Sequence, residues 1–257
     1  MRGAEKMRVL SLFAGIGRID AGLEAAGMSV VQSCEQDSFC RGVLEKHWPG
    51  VECHEDIATL EPERSVDLVA AGFPCQDVSI ANQSATGLAG ERSGLYWHIL
   101  RTVLLVGRPR ILLENVAELL NRGMGAVLGS LASLGYDTQW HCIPASAIGA
   151  AQERDRVWIV ADPSEERATR LLTSSDIGEA RQRRASGQAD LQQIADAPFE
   201  RGDCHAEPLL RGMACRMPGR MDRVGACGNT VDSAIPELIG RSILASTTAT
   251  DAMERNG

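Results

Sequence analysis

The sequence predicts an α/β fold built on a doubly wound, mostly parallel sheet. Three observations predict it. Short β-like runs alternate with helical patterns from Met7 to Ala161. Most of those runs are almost continuously apolar, as strands covered on both faces must be. A glycine-bearing turn, Phe13-Ala-Gly-Ile-Gly17, directly follows the first of them, and such turns mark the carboxyl ends of strands, where ligands sit in sheets of this kind.

The elements follow in order. Strands are expected at Arg8–Phe13, Ser29–Cys34, Val66–Gly72, Arg110–Glu114, Tyr136–Ile143 and Val157–Ala161. Helical patterns fill the gaps at Ile19–Ala26, Phe39–His47, Tyr96–Val106 and Met124–Leu134. After Ala161 the character changes. From Asp162 to about Pro208 the chain is rich in Arg, Glu, Asp, Gln, Ser and Ala, with Phe199 its only aromatic residue. Such a stretch buries little core and is expected to be loosely ordered. Order returns near Gly212, and Ser233–Leu244 reads as a closing helix with Pro236 in its first turn.

Composition narrows the function classes. The chain has 257 residues, 44% of them hydrophobic, which suits one mid-sized domain with a small insert. It contains no apolar run of transmembrane length and no signal peptide, so a cytoplasmic protein without membrane contact is expected. The eight cysteines form no C-x-x-C pair or zinc-knuckle spacing, which points to reduced thiols and no metal site. The net charge is −8, yet the positive charge is almost all arginine, Lys6 and Lys46 being the only lysines. Arginine binds phosphates and guanine edges bidentately, so a nucleic-acid substrate remains open.

Five constellations could carry chemistry. In Phe13-Ala-Gly-Ile-Gly17 the glycines permit a sharp turn and close approach to a ligand at a helix N-terminus. A dinucleotide fingerprint would place a third glycine at position 20, where this chain has Asp20, so taken alone the turn is equally an ordinary β–α connection. Glu35 ends the second strand, where ribose hydroxyls are held, and with Asp56 it suggests a nucleoside-bearing cofactor. Gly72-Phe-Pro-Cys-Gln76 ends the next strand and leads into a Gly/Ser-rich loop, Ser79 to Gly94, so Cys75 sits where nucleophiles sit. A buried structural thiol is the alternative, and Cys34 and Cys142, inside apolar strands, fit that alternative better. Glu114-Asn-Val116 follows Ile111-Leu-Leu113, a run that predicts burial and hence a raised carboxyl pKa. A carboxyl group kept protonated can donate to a heterocycle nitrogen, although a solvated strand end is the favoured reading of this Glu taken alone. In Gln152-Glu-Arg-Asp-Arg156, Arg154 and Arg156 share one face at β spacing and could hold an oxyanion, a carbonyl or a phosphate, a charged edge strand being the alternative for this motif taken alone. Gly228-Asn-Thr-Val231 opens the last helix, where it could also be a plain turn and cap.

Taken in order, these five resemble the cytosine-5 DNA methyltransferase family, over residues 7–161 and about 212–244. The loop from Gln76 to Leu95 resembles the short, phage- or prophage-type members. The resemblance implies the Rossmann-like fold of S-adenosylmethionine-dependent methyltransferases. It divides the chain into a catalytic and cofactor-binding part (1–161), a short, poorly structured target-recognition insert (162–211) and a C-terminal return (212–257). It implies that Phe13 stacks on the adenine of S-adenosylmethionine beside Gly15, Ile16 and Gly17. Glu35 is then expected to bind the ribose, and Asp56 with Ile57 the adenine edge, while Pro74, Asn229 and Val231 contact the cofactor. Gln36 stands where the family often has a large apolar residue covering the adenine. In the same resemblance Cys75 adds to C6 of a flipped cytosine, Glu114 bonds N3 and the exocyclic amine, Arg156 holds O2, and Arg154 supports the site. Gln76, Ser79 and Gln152 are expected to touch the substrate. The partners implied are double-stranded DNA and a cognate restriction endonuclease, for a chain acting as a monomer.

Other classes compete. A transfer-RNA cytosine-5 methyltransferase would have a similar catalytic set, but the Cys-Phe-Thr signature of that branch is absent between Asp162 and Gly228. A non-catalytic relic fits the acidic balance and the short recognition region, yet every catalytic position is occupied. Asp20 speaks against a nicotinamide oxidoreductase.

Overall fold

The computed structural model describes residues 6–74, 94–150, 154–164, 172–185 and 231–254. Its strands are β1 (Arg8–Leu12), β2 (Ser29–Cys34), β3 (Glu52–His54), β4 (Leu68–Gly72), β5 (Arg110–Val116), β6 (Tyr136–Pro144) and β7 (Asp155–Pro163). Its helices are α1 (Arg18–Ala26), α2 (Ser38–His47), α3 (Leu95–Val106), α4 (Leu119–Arg122), α5 (Met124–Ser133), α6 (Ser174–Ala185) and α7 (Ala234–Glu254). The strands form one sheet in the order β3-β2-β1-β4-β5-β7-β6. Neighbours from β3 to β5 run parallel, whereas β7 is antiparallel to both β5 and β6. This is the doubly wound, mostly parallel sheet that the alternating pattern predicts.

Alternate residues of a strand face opposite sides, and here each side has its own core. Leu10, Val69, Ala71, Ile111 and Leu113 pack with Ile99 and Val103 of α3 and with Val127 and Leu131 of α5. Val9, Leu68, Ala70, Leu112 and Trp158 pack on the other side with Leu23 of α1 and with Ile235, Ile239 and Ile243 of α7. The central strands read as unbroken apolar runs because both faces are covered. The α1 and α7 helices approach closely at glycines. A Cβ on Gly22 would lie 2.6 Å from Pro236 Cγ, and one on Gly240 would lie 2.8 Å from Ala26 Cβ.

The differences from expectation have physical causes. The first strand ends at Leu12, because Phe13 turns into the left-handed region at φ 54. The three-residue β3 and the single-turn α4 carry too little periodicity to be seen in sequence. Strand β5 continues to Val116 and β7 to Pro163, where Asp162 is buried by an ion pair with Arg110, Nε to Oδ1 2.7 Å. Helix α7 runs from Ala234 to Glu254, ten residues beyond the expected Leu244. The loose order expected from Asp162 onward fails over Ser174–Ala185, which is helical. There Leu172, Ile177 and Ala180 pack against Ile143 and Ile148, so a few apolar residues suffice to dock a polar segment. Cys34 is buried as expected, but Cys142 is exposed, since β6 is the edge strand and is uncovered on both faces at Trp140, His141 and Cys142. Among the described residues no helix is long and apolar enough to cross a membrane.

Candidate active site

A cavity of about 580 Å³ opens at the carboxyl ends of β1, β2, β4 and β5. That is the size of a small-ligand site. Its floor is the turn after β1. Phe13 adopts φ 54 there, a backbone state that costs a non-glycine residue on the order of 1–3 kcal/mol and persists where its surroundings over-determine it. The surroundings are visible: Ala14 N donates to Cys34 O at 3.2 Å and Gly17 N to Ala14 O at 2.9 Å. Glu35 then ties the turn to its neighbour. One carboxylate oxygen accepts from Gly15 N and the other from Asp37 N, both at 2.7 Å. Asp37 in turn caps α2 by accepting from Cys40 N at 2.8 Å.

Of the residues singled out from the sequence, Phe13, Gly15 and Ile16 line the cavity on the β1 side. Glu35, Asp56 and Ile57 line it at the β2–β3 end, and Pro74, Glu114 and Val231 at the other. Gly17 lies behind this wall as the N-cap of α1 at φ 79, where an added Cβ would lie 2.5 Å from the Trp48 ring. That packing against Trp48 is a reason for glycine which the motif alone does not reveal. Asp56 Oδ1 accepts from Ala58 N at 2.9 Å, which holds the turn after β3. Cys75, Gln76, Ser79, Gln152 and Asn229 lie outside the described residues. No cluster that could hold a metal occurs among the described residues.

Tertiary structure brings Glu114 and Arg156 together. In register, Glu114 pairs with Trp158 and Val116 with Arg156, so Glu114 and Arg156 are diagonal neighbours on one face. Arg156 Nε lies 2.7 Å from Glu114 Oε1, and both side chains are nearly buried. Burial pushes the Glu114 carboxyl from 4.5 up to about 7, with the Arg156 and Arg154 charges pulling against it. Burial and the neighbouring Arg156 charge lower the pKa of Arg154, while Glu114 raises it. Glu114 also faces β4: a Cβ on Gly72 would lie 3.1 Å from Glu114 Oε2. Thus the residues leading to Cys75 run directly past the buried acid.

Two further features escaped the motif reading. Asn115 Nδ2 donates to Phe73 O at 2.9 Å and so fixes the backbone just before Pro74. Asp20 is buried beneath the β1 turn, where it accepts from Ser11 Oγ at 2.5 Å, and burial raises its pKa to about 7. Only the fold shows what each side chain touches.

The sequence profile of C-5 cytosine-specific DNA methylases matches residues 7–204. The chain belongs to that family. It is 40% identical over 163 residues to the Type II methyltransferase M2.BsuMI of Bacillus subtilis (strain 168), covering 60% of this chain and 42% of the relative. It is 32% identical over 176 residues to the Type II methyltransferase M.Sau3AI of Staphylococcus aureus, covering 60% of this chain and 43% of the relative. The chain thus spans less than half the length of these two relatives. A solved DNMT2 variant from Spodoptera frugiperda shares the fold, with a TM-score of 0.53 and 18% identity over 65% of this chain and 54% of that one.

Proposed function

We propose that this protein transfers a methyl group from S-adenosylmethionine to C5 of a cytosine in double-stranded DNA, with Cys75 as nucleophile. The observation that carries the proposal is Glu114: a buried acid poised at about 7, gripped by Arg156 and set beside the strand end that leads to Cys75. The cavity supports the cofactor. It offers an aromatic ring, Phe13, for a purine and the carboxylates Glu35 and Asp56 for a ribose and an amine. Both oxygens of Glu35 are already engaged by one backbone amide each, and each keeps a second lone pair for a hydroxyl. S-adenosylmethionine supplies an electrophilic methyl group on a cationic sulfur.

The residues then act as follows. The base leaves the duplex at a cost of about a few kcal/mol, which contacts in the pocket must offset. The Cys75 thiolate forms a bond to C6, and the electron pair of the C5–C6 double bond shifts into the ring. Glu114 delivers its proton to N3, which leaves a neutral enamine whose C5 is nucleophilic. The Glu114 carboxylate so formed is stabilised by Arg156, and Arg156 also holds O2, with Arg154 in support. Once C5 carries the methyl group, water takes the remaining C5 proton, that electron pair re-forms the C5–C6 double bond as the thiolate leaves C6, and the N3 proton returns to the Glu114 carboxylate, which gives a neutral aromatic base and restores the acid. Splitting one difficult substitution into addition and elimination is the gain of covalent catalysis. Gln76, Ser79 and Gln152 are assigned to the substrate, and Asn229 and Val231 to the cofactor. The relatives are named as Type II methyltransferases, and we assign this chain to a restriction-modification setting with a partner endonuclease in a prokaryotic cytoplasm.

Labelled methyl transfer to duplex DNA and to transfer RNA, combined with trapping on 5-fluorocytosine duplex, tests the proposal. Wild type should label DNA and form a covalent adduct. Cys75→Ser should do neither while still binding S-adenosylmethionine. Labelling of RNA alone, or near wild-type turnover by Cys75→Ser, would overturn it.

A further inference from the structure

The cavity wall is unevenly charged. Its described lining carries five carboxylates, Glu35, Asp37, Glu55, Asp56 and Glu114, and a single basic side chain, Arg18. Arg18 is the first residue of α1, directly after the N-cap Gly17. The next residue, Ile19, reaches the β4 end of the cavity: its Cδ1 is 3.6 Å from where a Cβ on Gly72 would stand, beside Glu114 Oε2. Glu35 and Asp56 end or follow β2 and β3, on the far side. A ligand with its ribose at Glu35 and its sulfur toward Pro74 and Glu114 therefore lays its remaining arm along the first turn of α1.

That arm is an amino acid. The sulfonium and the α-ammonium of S-adenosylmethionine are cations and suit an acidic wall. The α-carboxylate does not, and like charges in juxtaposition are penalised strongly. The first turn of α1 reverses the sign locally, through an arginine and through the amide groups and dipole of a helix N-terminus. We propose that Arg18 is a specificity-determining residue that binds the α-carboxylate of the methyl donor. This rests on the reading of the cavity as the S-adenosylmethionine site. In this assignment the acidic wall selects the sulfonium end and Arg18 selects the amino-acid end, so the cavity distinguishes the donor from other adenosine derivatives.

Calorimetric binding of two ligands tests it: S-adenosylmethionine and its decarboxylated analogue, which keeps the adenosine, the sulfonium and the ammonium. Wild type should prefer the carboxylate-bearing ligand by roughly ten- to hundred-fold, the worth of a charge-assisted hydrogen bond. Arg18→Ala and Arg18→Gln should lose that preference, weakening S-adenosylmethionine by the same factor while moving the decarboxylated ligand by less than about twofold. Arg18→Lys should keep part of it. Because the readout is a ratio within each protein, a partly destabilised variant still reports. If Arg18→Ala keeps the wild-type preference, or weakens both ligands alike, Arg18 is structural and the inference fails. If wild type shows no preference, it also fails. Wild type that binds neither ligand overturns the cofactor reading itself.

Discussion

Glu114 makes a prediction that can be worked through in numbers. Its carboxyl sits at about 7 in the folded protein against an ordinary 4.5, because burial outweighs the pull of Arg156. Between those values the folded protein holds a proton that the unfolded chain has released, so the contribution of Glu114 to stability is greatest below 4.5 and is lost as pH rises through the window to about 7. Each pH unit of such a window is worth about 1.4 kcal/mol, so Glu114 alone should cost the wild type about 3 kcal/mol between pH 4.5 and pH 8. Glu114→Gln removes the titration and keeps the shape. Arg156 then loses its partner at 2.7 Å, but its guanidinium stays charged throughout the window and adds only a pH-independent offset. Urea unfolding of both proteins at half-unit steps of pH should therefore give two stability curves that diverge by about 3 kcal/mol across the window. Methyl transfer by Glu114→Gln should fall by roughly two orders of magnitude or more, since the proton for N3 is gone. Parallel stability curves would refute the raised pKa, and unchanged turnover would refute the acid role.

Two further substitutions probe the framework. Asn115→Ala removes the bond that holds Phe73 O; methyl transfer should fall by roughly ten-fold or more while cofactor affinity stays near wild type, as stopped-flow chemistry and calorimetry would show. Arg110→Met removes the guanidinium 2.7 Å from the buried Asp162 carboxylate, and the loss should be about 3–5 kcal/mol by urea denaturation, with much of it recovered in the double variant Arg110→Met/Asp162→Leu.

Much of this protein is legible in one dimension because strands and the turns that end them are local. The apolar runs around Leu10, Val69 and Leu112 mark strands buried on both faces. The residues that follow them, Phe13, Pro74 and Glu114, must then cluster at one edge of a parallel sheet, since parallel strands all end on the same side. The apolar run before Glu114 predicts its burial, but taken alone this Glu reads as a solvated strand end, and the pairing with Arg156 in the fold decides for the buried state. Less legible were features that depend on who the neighbour is. Cys142 looked buried in a β-patterned run, but β6 is the edge of the sheet. The segment around Ile177 looked too polar to fold, but it needs to bury only a few apolar residues against Ile143 and Ile148.

The sequence by itself determined the alternation of elements, the glycine-bearing turn after β1 and the family to which those motifs belong, because each is written in a handful of consecutive residues. Tertiary structure decided the partnerships. The antiparallel insertion of β7 beside β5 sets the start of one strand against the end of the other and so delivers Arg156 to Glu114. Strand pairing likewise lets Asn115 hold the approach to Cys75, and helix packing sets Arg18 against an otherwise acidic wall. Contacts between residues tens of positions apart depend on register and packing, and no local run of the chain encodes either.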